Sequence, residues 1–176
     1  VLHVCAFARP VHNLQVAMHI IWAPWRVKYI LGGAGDGCIF CDKLKENKDP
    51  ENHILFRGKK SFCLLNAYPY NSGHVMVAPY SHVGELELLD DEELLDLMKV
   101  TRMAMKALNA ALKPDGFNIG INVGRVAGAG ITDHVHVHIV PRWGGDTNFM
   151  PVTAGTKVIP QSLDGMYETL IKEFAS

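Results

Sequence analysis

The sequence lacks the features that would tie it to a membrane, an oxidising compartment or a nucleic-acid backbone. Its longest apolar runs are strand-sized and broken by Gly, Pro or His, so none reaches the length of a bilayer span. It has four cysteines, Cys5, Cys38, Cys41 and Cys63, of which two form one Cys-x-x-Cys pair. That is too irregular for a secreted disulfide framework and suits a reduced, cytoplasmic protein. Neither sign of charge dominates. Seventeen Lys and Arg against 18 Asp and Glu give a net charge of -1, which is not built for bulk binding of duplex nucleic acid. There is no internal repeat and no low-complexity tract. What remains is 176 residues, 48% of them hydrophobic, enough to bury one core without disulfides or metal as support.

Residues 1–17 carry no clear pattern and Met18 follows them. They read as a disordered extension upstream of a natural start, with a single domain over 18–176. A short helix is expected from Pro24 to about Ile30, then a flexible loop over Gly32–Gly37. Five strand-length runs are bounded by Gly, Pro, Asn or Asp: His53–Gly58, Ser61–Asn66, Gly73–Pro79, Phe117–Val123 and His134–Val140. One long helix interrupts them. Asp90, Asp91, Glu92 and Glu93 crowd its start and Lys99, Arg102, Lys106 and Lys113 follow, an order that suits the helix dipole. Leu94, Leu97, Met98, Thr101, Met105, Leu108 and Leu112 mark its apolar face, and Pro114-Asp115-Gly116 stops it. A second helix is expected from Gln161 to Phe174. The fold class is α+β with a mostly antiparallel five-stranded sheet.

The sharpest feature is His134-Val135-His136-Val137-His138-Ile139-Val140. Period-two alternation puts three imidazoles on one face of a strand, neighbours roughly 6.5–7 Å apart, and turns Val135, Val137 and Ile139 into a core. Pro141 is expected to end that strand. Three readings stand: a solvated sheet face, a metal site, and nucleophilic catalysis by neutral imidazole. Ahead of the triad lies Asn122-Val123-Gly124-Arg125-Val126-Ala127-Gly128-Ala129-Gly130, whose glycines let backbone N–H groups cradle an anion. A phosphate beside an imidazole follows from the two together.

The alternation His134-Val-His136-Val-His138-Ile-Val140 resembles the signature of the histidine triad superfamily. Asn66, eight residues before the histidine of Gly73-His74-Val75, resembles the strand pair with a nucleoside-facing Asn and His. Ala23-Pro24-Trp25-Arg26, Cys38-x-x-Cys41 and Pro141–Pro151 resemble its bacterial branch near the fragile histidine triad proteins and the diadenosine tetraphosphate phosphorylases. The resemblance implies an HIT-like fold and a homodimer with paired sheets. It also implies cleavage of a dinucleoside polyphosphate at the α-phosphate. His136 would be the nucleophile, with His138 and His74 beside it. Asn66, Asn122, Gly128, Ala129 and Gly130 would hold the nucleotide. The sequence departs from some relatives at Ala129-Gly130-Ile131-Thr132-Asp133, which leaves open hydrolysis or phosphorolysis. It also leaves open whether a divalent cation accompanies the nucleotide. Nucleoside phosphoramidates, or a binding role with little turnover, are the alternatives.

Cys38-x-x-Cys41 is half a zinc site by itself. By resemblance His82 and His134 complete a structural zinc. A reduced pair flanking Ile39-Phe40, or a redox pair, are the other readings. Phe62 and Leu64 are candidates for a base pocket, and Trp143 for a core or pocket wall.

Overall fold

The computed structural model describes residues 37–147 and 158–175. The extension over 1–17, Cys5, the helix after Pro24, nearly all of the Gly32–Gly37 loop and the stretch from Asn148 to Pro151 lie outside the described residues. Two short helices lead in, α1 (Ile39–Glu46) and the single turn α2 (Asp49–Asn52). Sequence periodicity does not announce them, because α1 buries one residue, Phe40, and has no side-chain N-cap. Left-handed caps at Asn47 and His53 end them and turn the chain into the sheet.

The sheet is built from β1 (Ile54–Arg57), β2 (Ser61–Leu65), β3 (Val75–Pro79), β4 (Gly116–Ile121) and β5 (Val137–Arg142). Its order is β1-β2-β3-β5-β4 and every pairing is antiparallel. Between β3 and β4 runs the long helix α3 (Asp91–Leu112), and α4 (Leu163–Phe174) closes the chain against it. The five strands, the expected long helix and the expected helix toward Phe174 are all present. No described helix is long and apolar enough to cross a membrane.

The acidic cluster at 90–93 is a helix start. Asp90 accepts from Glu93 N at 2.7 Å and Glu93 accepts from Asp90 N at 3.0 Å, a reciprocal capping box. The buried face of α3 is Leu97, Val100, Thr101, Ala104, Ala107 and Leu108. Ala104 and Ala107 let the helix lie close to the sheet. Met98, expected on that face, is 56% exposed. It follows Leu97 by about 100° of rotation, and Val100 and Ala104 take the inward positions instead. On the helix side the core joins these residues to Cys63, Leu65, Val75, Val77, Val135, Val137 and Ile139, with Met166 and Leu170 from α4. The other face of β2 and β3 carries Phe62, Leu64, Met76 and Ala78, covered by Phe40 of α1. Both strands are therefore buried on both faces.

The triad strand departs from its expected bounds at each end. Pairing starts at Val137, not at His134: Val77–Val137 is the last pair with β3, and ahead of it Val135 N–H turns to the Val83 carbonyl at 2.7 Å while the His134 ring caps the Pro79 carbonyl at 2.9 Å. At the far end Pro141 does not stop the strand, which continues to Arg142. The Pro141 carbonyl accepts from Asn71 Nδ2, so that residue's polar edge faces the side where β3 has not yet begun, and no ladder bond is lost by its missing N–H.

The two faces of α3 separate in a stability measurement. Leu108→Ala should lower the unfolding free energy by about 2–5 kcal/mol, whereas Met98→Ala should cost under about 0.5 kcal/mol in the same urea titration.

Candidate active site

The sheet face opposite α3 carries the histidines. His134 and His136 lie in the extended segment just ahead of β5, and His138 sits across from Met76 of β3. Helix α1 roofs this face, and Phe40 packs against the rings of His134 and His136 with centroids 4.9 Å from each. Between roof and sheet opens a cavity of about 710 Å³, counting the part open to solvent. Ile39, Leu64, Met76 and Ile131 supply its apolar walls. Asn66, Tyr68, Tyr70, His136 and His138 supply its polar ones. That mixture of apolar walls and a few polar groups suits an organic ligand.

Hydrogen bonds fix which ring nitrogen faces the cavity. His136 Nδ1 donates to the carbonyl of His134 at 2.9 Å. A neutral imidazole has one N–H, so His136 Nε2 is left as a lone pair. A second chain runs through His74. Tyr70 N–H donates to His74 Nδ1 at 3.1 Å, so the proton of His74 sits on Nε2. That nitrogen donates to His138 Nδ1 at 3.0 Å, so His138 carries its own proton on Nε2. The cavity wall thus holds one nucleophilic lone pair on His136 and one N–H donor on His138. The rings are neutral. Burial, with the two neighbouring imidazoles, pulls His74 down to about 3. Burial and His136 pull His138 down to about 4. Burial also lowers His134 and His136, against the opposing pull of a backbone carbonyl on each.

A second cluster lies against the first. Cys38, at the N-cap of α1, Cys41 in its first turn, His82 after β3 and His134 bring four donor atoms within 4.8 Å of one another. Cys38 Sγ is 3.3 Å from His134 Nδ1, Cys41 Sγ is 3.6 Å from His82 Nδ1 and 3.7 Å from His134 Nδ1, and the two Nδ1 atoms are 3.3 Å apart. A tetrahedron with zinc bond lengths has S···N edges of roughly 3.5 Å and N···N edges of roughly 3.3 Å. The set fits a metal ion of that kind. His134 Nε2 donates to the Pro79 carbonyl, which leaves Nδ1 as the lone pair facing the cluster. Burial and the neighbouring Cys38 raise the Cys41 thiol, a cost that a bound cation would offset.

The other sequence-derived candidates divide. Asn66 is buried at the cavity edge, holding Tyr68 N at 2.9 Å on its carbonyl and contacting the His74 ring with its amide. His74 is buried behind His138 and does not line the cavity. Gly128 and Gly130 line it, while Ala129 is buried beside it. The stretch forms a tight turn in which Gly124 and Gly128 adopt φ of 80° and 93°, a region that favours glycine. The N–H of Gly128 donates to Arg125 O and that of Ala129 to Gly124 O, so both donors close the turn rather than face an anion. Asn122 is half-buried at the end of β4, away from the cavity lining. Leu64 lines the cavity; Phe62 lies beneath it, against Phe40 and Tyr80. Trp143 belongs to a different hollow with Asp146. Sequence reasoning missed Phe40, Lys43 and Tyr70. Phe40 lies between the two cysteines, and no periodic signal in α1 marks Ile39 and Lys43 as facing a site.

A family model for the HIT domain matches residues 47–145. The AP-4-A phosphorylase of Mycobacterium tuberculosis is 40% identical over 164 residues, covering 88% of this chain and 84% of its own. The chain belongs to the histidine triad family. A second relative, the adenosine 5'-monophosphoramidase HNT1 of Saccharomyces cerevisiae, is 33% identical over 105 residues, 60% of this chain and 62% of that one. Among solved structures, a Zn-bound histidine triad family protein from Mycobacterium smegmatis shares the fold at a TM-score of 0.65 and 23% identity, covering 80% of this chain and 94% of that one. A hypothetical histidine triad nucleotide-binding protein from Sulfolobus tokodaii matches at 0.65 and 26%, over 78% and 92%. The α+β histidine triad fold and the sequence signature therefore agree.

Neutral burial has a consequence for acid stability. The folded values of His74 and His138, about 3 and about 4, lie below the ordinary 6.5, so the unfolded chain binds more protons in that window. Stability is full above about pH 6.5 and is lost as pH falls toward those folded values. Urea midpoints should drop steadily from about pH 6.5 to about pH 4.5, and His138→Gln should flatten the dependence. A midpoint that does not move across this range would contradict the neutral assignment.

Proposed function

We propose that this histidine triad protein is a nucleotidyl hydrolase or transferase acting on dinucleoside polyphosphates, with His136 as the nucleophile. The observation that carries the reading is the pairing of a bare His136 Nε2 with a protonated His138 Nε2 on the wall of a cavity with apolar sides. The base occupies the slot between Ile39, Leu64 and Met76, and Asn66 meets the ribose. His136 Nε2 attacks the α-phosphorus in line. A P–N bond forms, the bridging P–O bond breaks, and the remaining polyphosphate leaves with the electron pair. Water or inorganic phosphate then attacks the same phosphorus, and the P–N bond breaks to restore the imidazole. His138 Nε2–H donates to a phosphate oxygen as charge builds. His74 positions His138. Gly128 and Ala129 N–H groups are committed inside their turn, so this N–H is the donor that stands beside His136. The name and 40% identity of the mycobacterial relative support the substrate class. The same nucleophile suits a phosphoramidate P–N bond, which the yeast relative's name favours as the second reading.

Incubation with diadenosine tetraphosphate, with and without inorganic phosphate, tests this. AMP plus ATP in both tubes means hydrolysis; ADP plus ATP appearing with phosphate means phosphorolysis. His136→Asn should lower kcat at least about a thousandfold while keeping nucleotide binding. Equal turnover by variant and parent sinks the assignment.

The Cys38, Cys41, His82 and His134 set is read as a structural zinc site that ties α1 to the segment leading into β5. Metal analysis of protein purified without chelator should give one zinc per chain, and Cys41→Ser should lose it together with several degrees of Tm. Zinc-free protein of unchanged Tm would refute this. The reading also includes a homodimer. β4 is an edge strand with Ile119 45% exposed, free to continue the sheet into a second copy. Light scattering at micromolar concentration should give twice the 19.5 kDa chain mass, and a monomer would contradict it.

A further inference from the structure

One side chain of the cavity lining has no part in the chemistry above, yet it carries a positive charge. Lys43 lines the cavity from α1. Its Nζ donates to Asn52 O and to Asn52 Oδ1, each at 3.2 Å. Asn52 is buried and is itself fixed, its Nδ2 donating to Lys43 O at 3.4 Å and to Glu46 Oε2 at 2.8 Å. The ammonium is thus held in one place by a neutral amide. Two of its three donors are directed at Asn52, and one remains for a ligand.

Position decides what that donor reaches. Asn52 stands at the head of β1, and three strand spacings separate β1 from β5, on the order of 14 Å. A phosphorus under attack lies about 3.5 Å from His136 Nε2. Lys43 is therefore too far away to serve the reacting phosphate. A nucleoside laid over Met76 and Leu64 from that phosphate extends across β3 and β2, and its base edge arrives at Lys43.

We propose that Lys43 reads the base: its ammonium donates to an acceptor on the outer edge of a purine and favours guanine over adenine. Guanine offers O6 and N7, two acceptors side by side, whereas adenine sets an N6 amino donor beside N7. The inference rests on the reading that a nucleotide fills this cavity. A merely structural Lys43, tying α1 to α2 through Asn52, would alter the binding of both bases alike.

Calorimetric titration with GMP and with AMP separates these, since neither requires turnover. The parent protein should bind GMP more tightly than AMP. Lys43→Met keeps the aliphatic stem without the charge and should lose about tenfold in GMP affinity, with AMP affinity changed less than about twofold. Lys43→Arg keeps a donor and should retain a preference for GMP. An unchanged GMP-to-AMP ratio in Lys43→Met overturns the proposal and leaves the nucleotide site standing. Failure of the parent protein to bind either nucleotide overturns the site reading together with it.

Discussion

The hydrogen bond from His136 Nδ1 to the carbonyl of His134 sets the character of the site, because it decides which nitrogen of the middle histidine meets a ligand. Once Nδ1 is committed, Nε2 is a lone pair held in one direction by the backbone of its own strand. The same residue, His134, faces the Cys/His cluster with its own Nδ1 and caps the Pro79 carbonyl with Nε2. Ring and carbonyl of one residue thus link three things: the end of β3, the Cys/His cluster and the tautomer of the nucleophilic candidate.

Burial keeps this arrangement neutral. Four imidazoles share one sheet face, and were they charged they would repel each other across contacts such as the 3.0 Å His74–His138 bond. Covering the face with α1 makes protonation costly, so the rings exchange hydrogen bonds as neutral donors and acceptors. Phe40 is the residue that couples the roof to this logic. It packs on the rings of His134 and His136 and on Phe62 below them, while the cysteines on either side of it belong to the Cys/His cluster.

Much of this was legible in the sequence. The five strands, the long helix and its acidic start follow from period and capping chemistry. The placing of Val135, Val137 and Ile139 in a core opposite the three histidines follows from alternation alone. The Cys/His set came from a resemblance, since no spacing argument links Cys41 to His82 across 41 residues. Other features were hidden for physical reasons. Helix α1 buries one side chain, so it leaves no periodic signature. The bounds of β5 depend on Val135 bonding to Val83 instead of to β3 and on Asn71 reaching Pro141, both tertiary facts. The Gly-rich turn looked like an anion cradle, and only its hydrogen bonds show that Gly128 and Ala129 spend their N–H groups on closing it. Lys43 reads as one more surface lysine until Asn52 is seen to fix it.

The central claim is that the histidines are neutral with fixed, opposite tautomers at the cavity wall. Nitrogen-15 NMR of protein labelled in its histidine rings tests it most directly. The account predicts His136 as the Nδ1–H tautomer and His138 as the Nε2–H tautomer, both unchanged between about pH 6 and about pH 8. An imidazolium at either position near neutral pH, or a protonated Nε2 on His136, would contradict it.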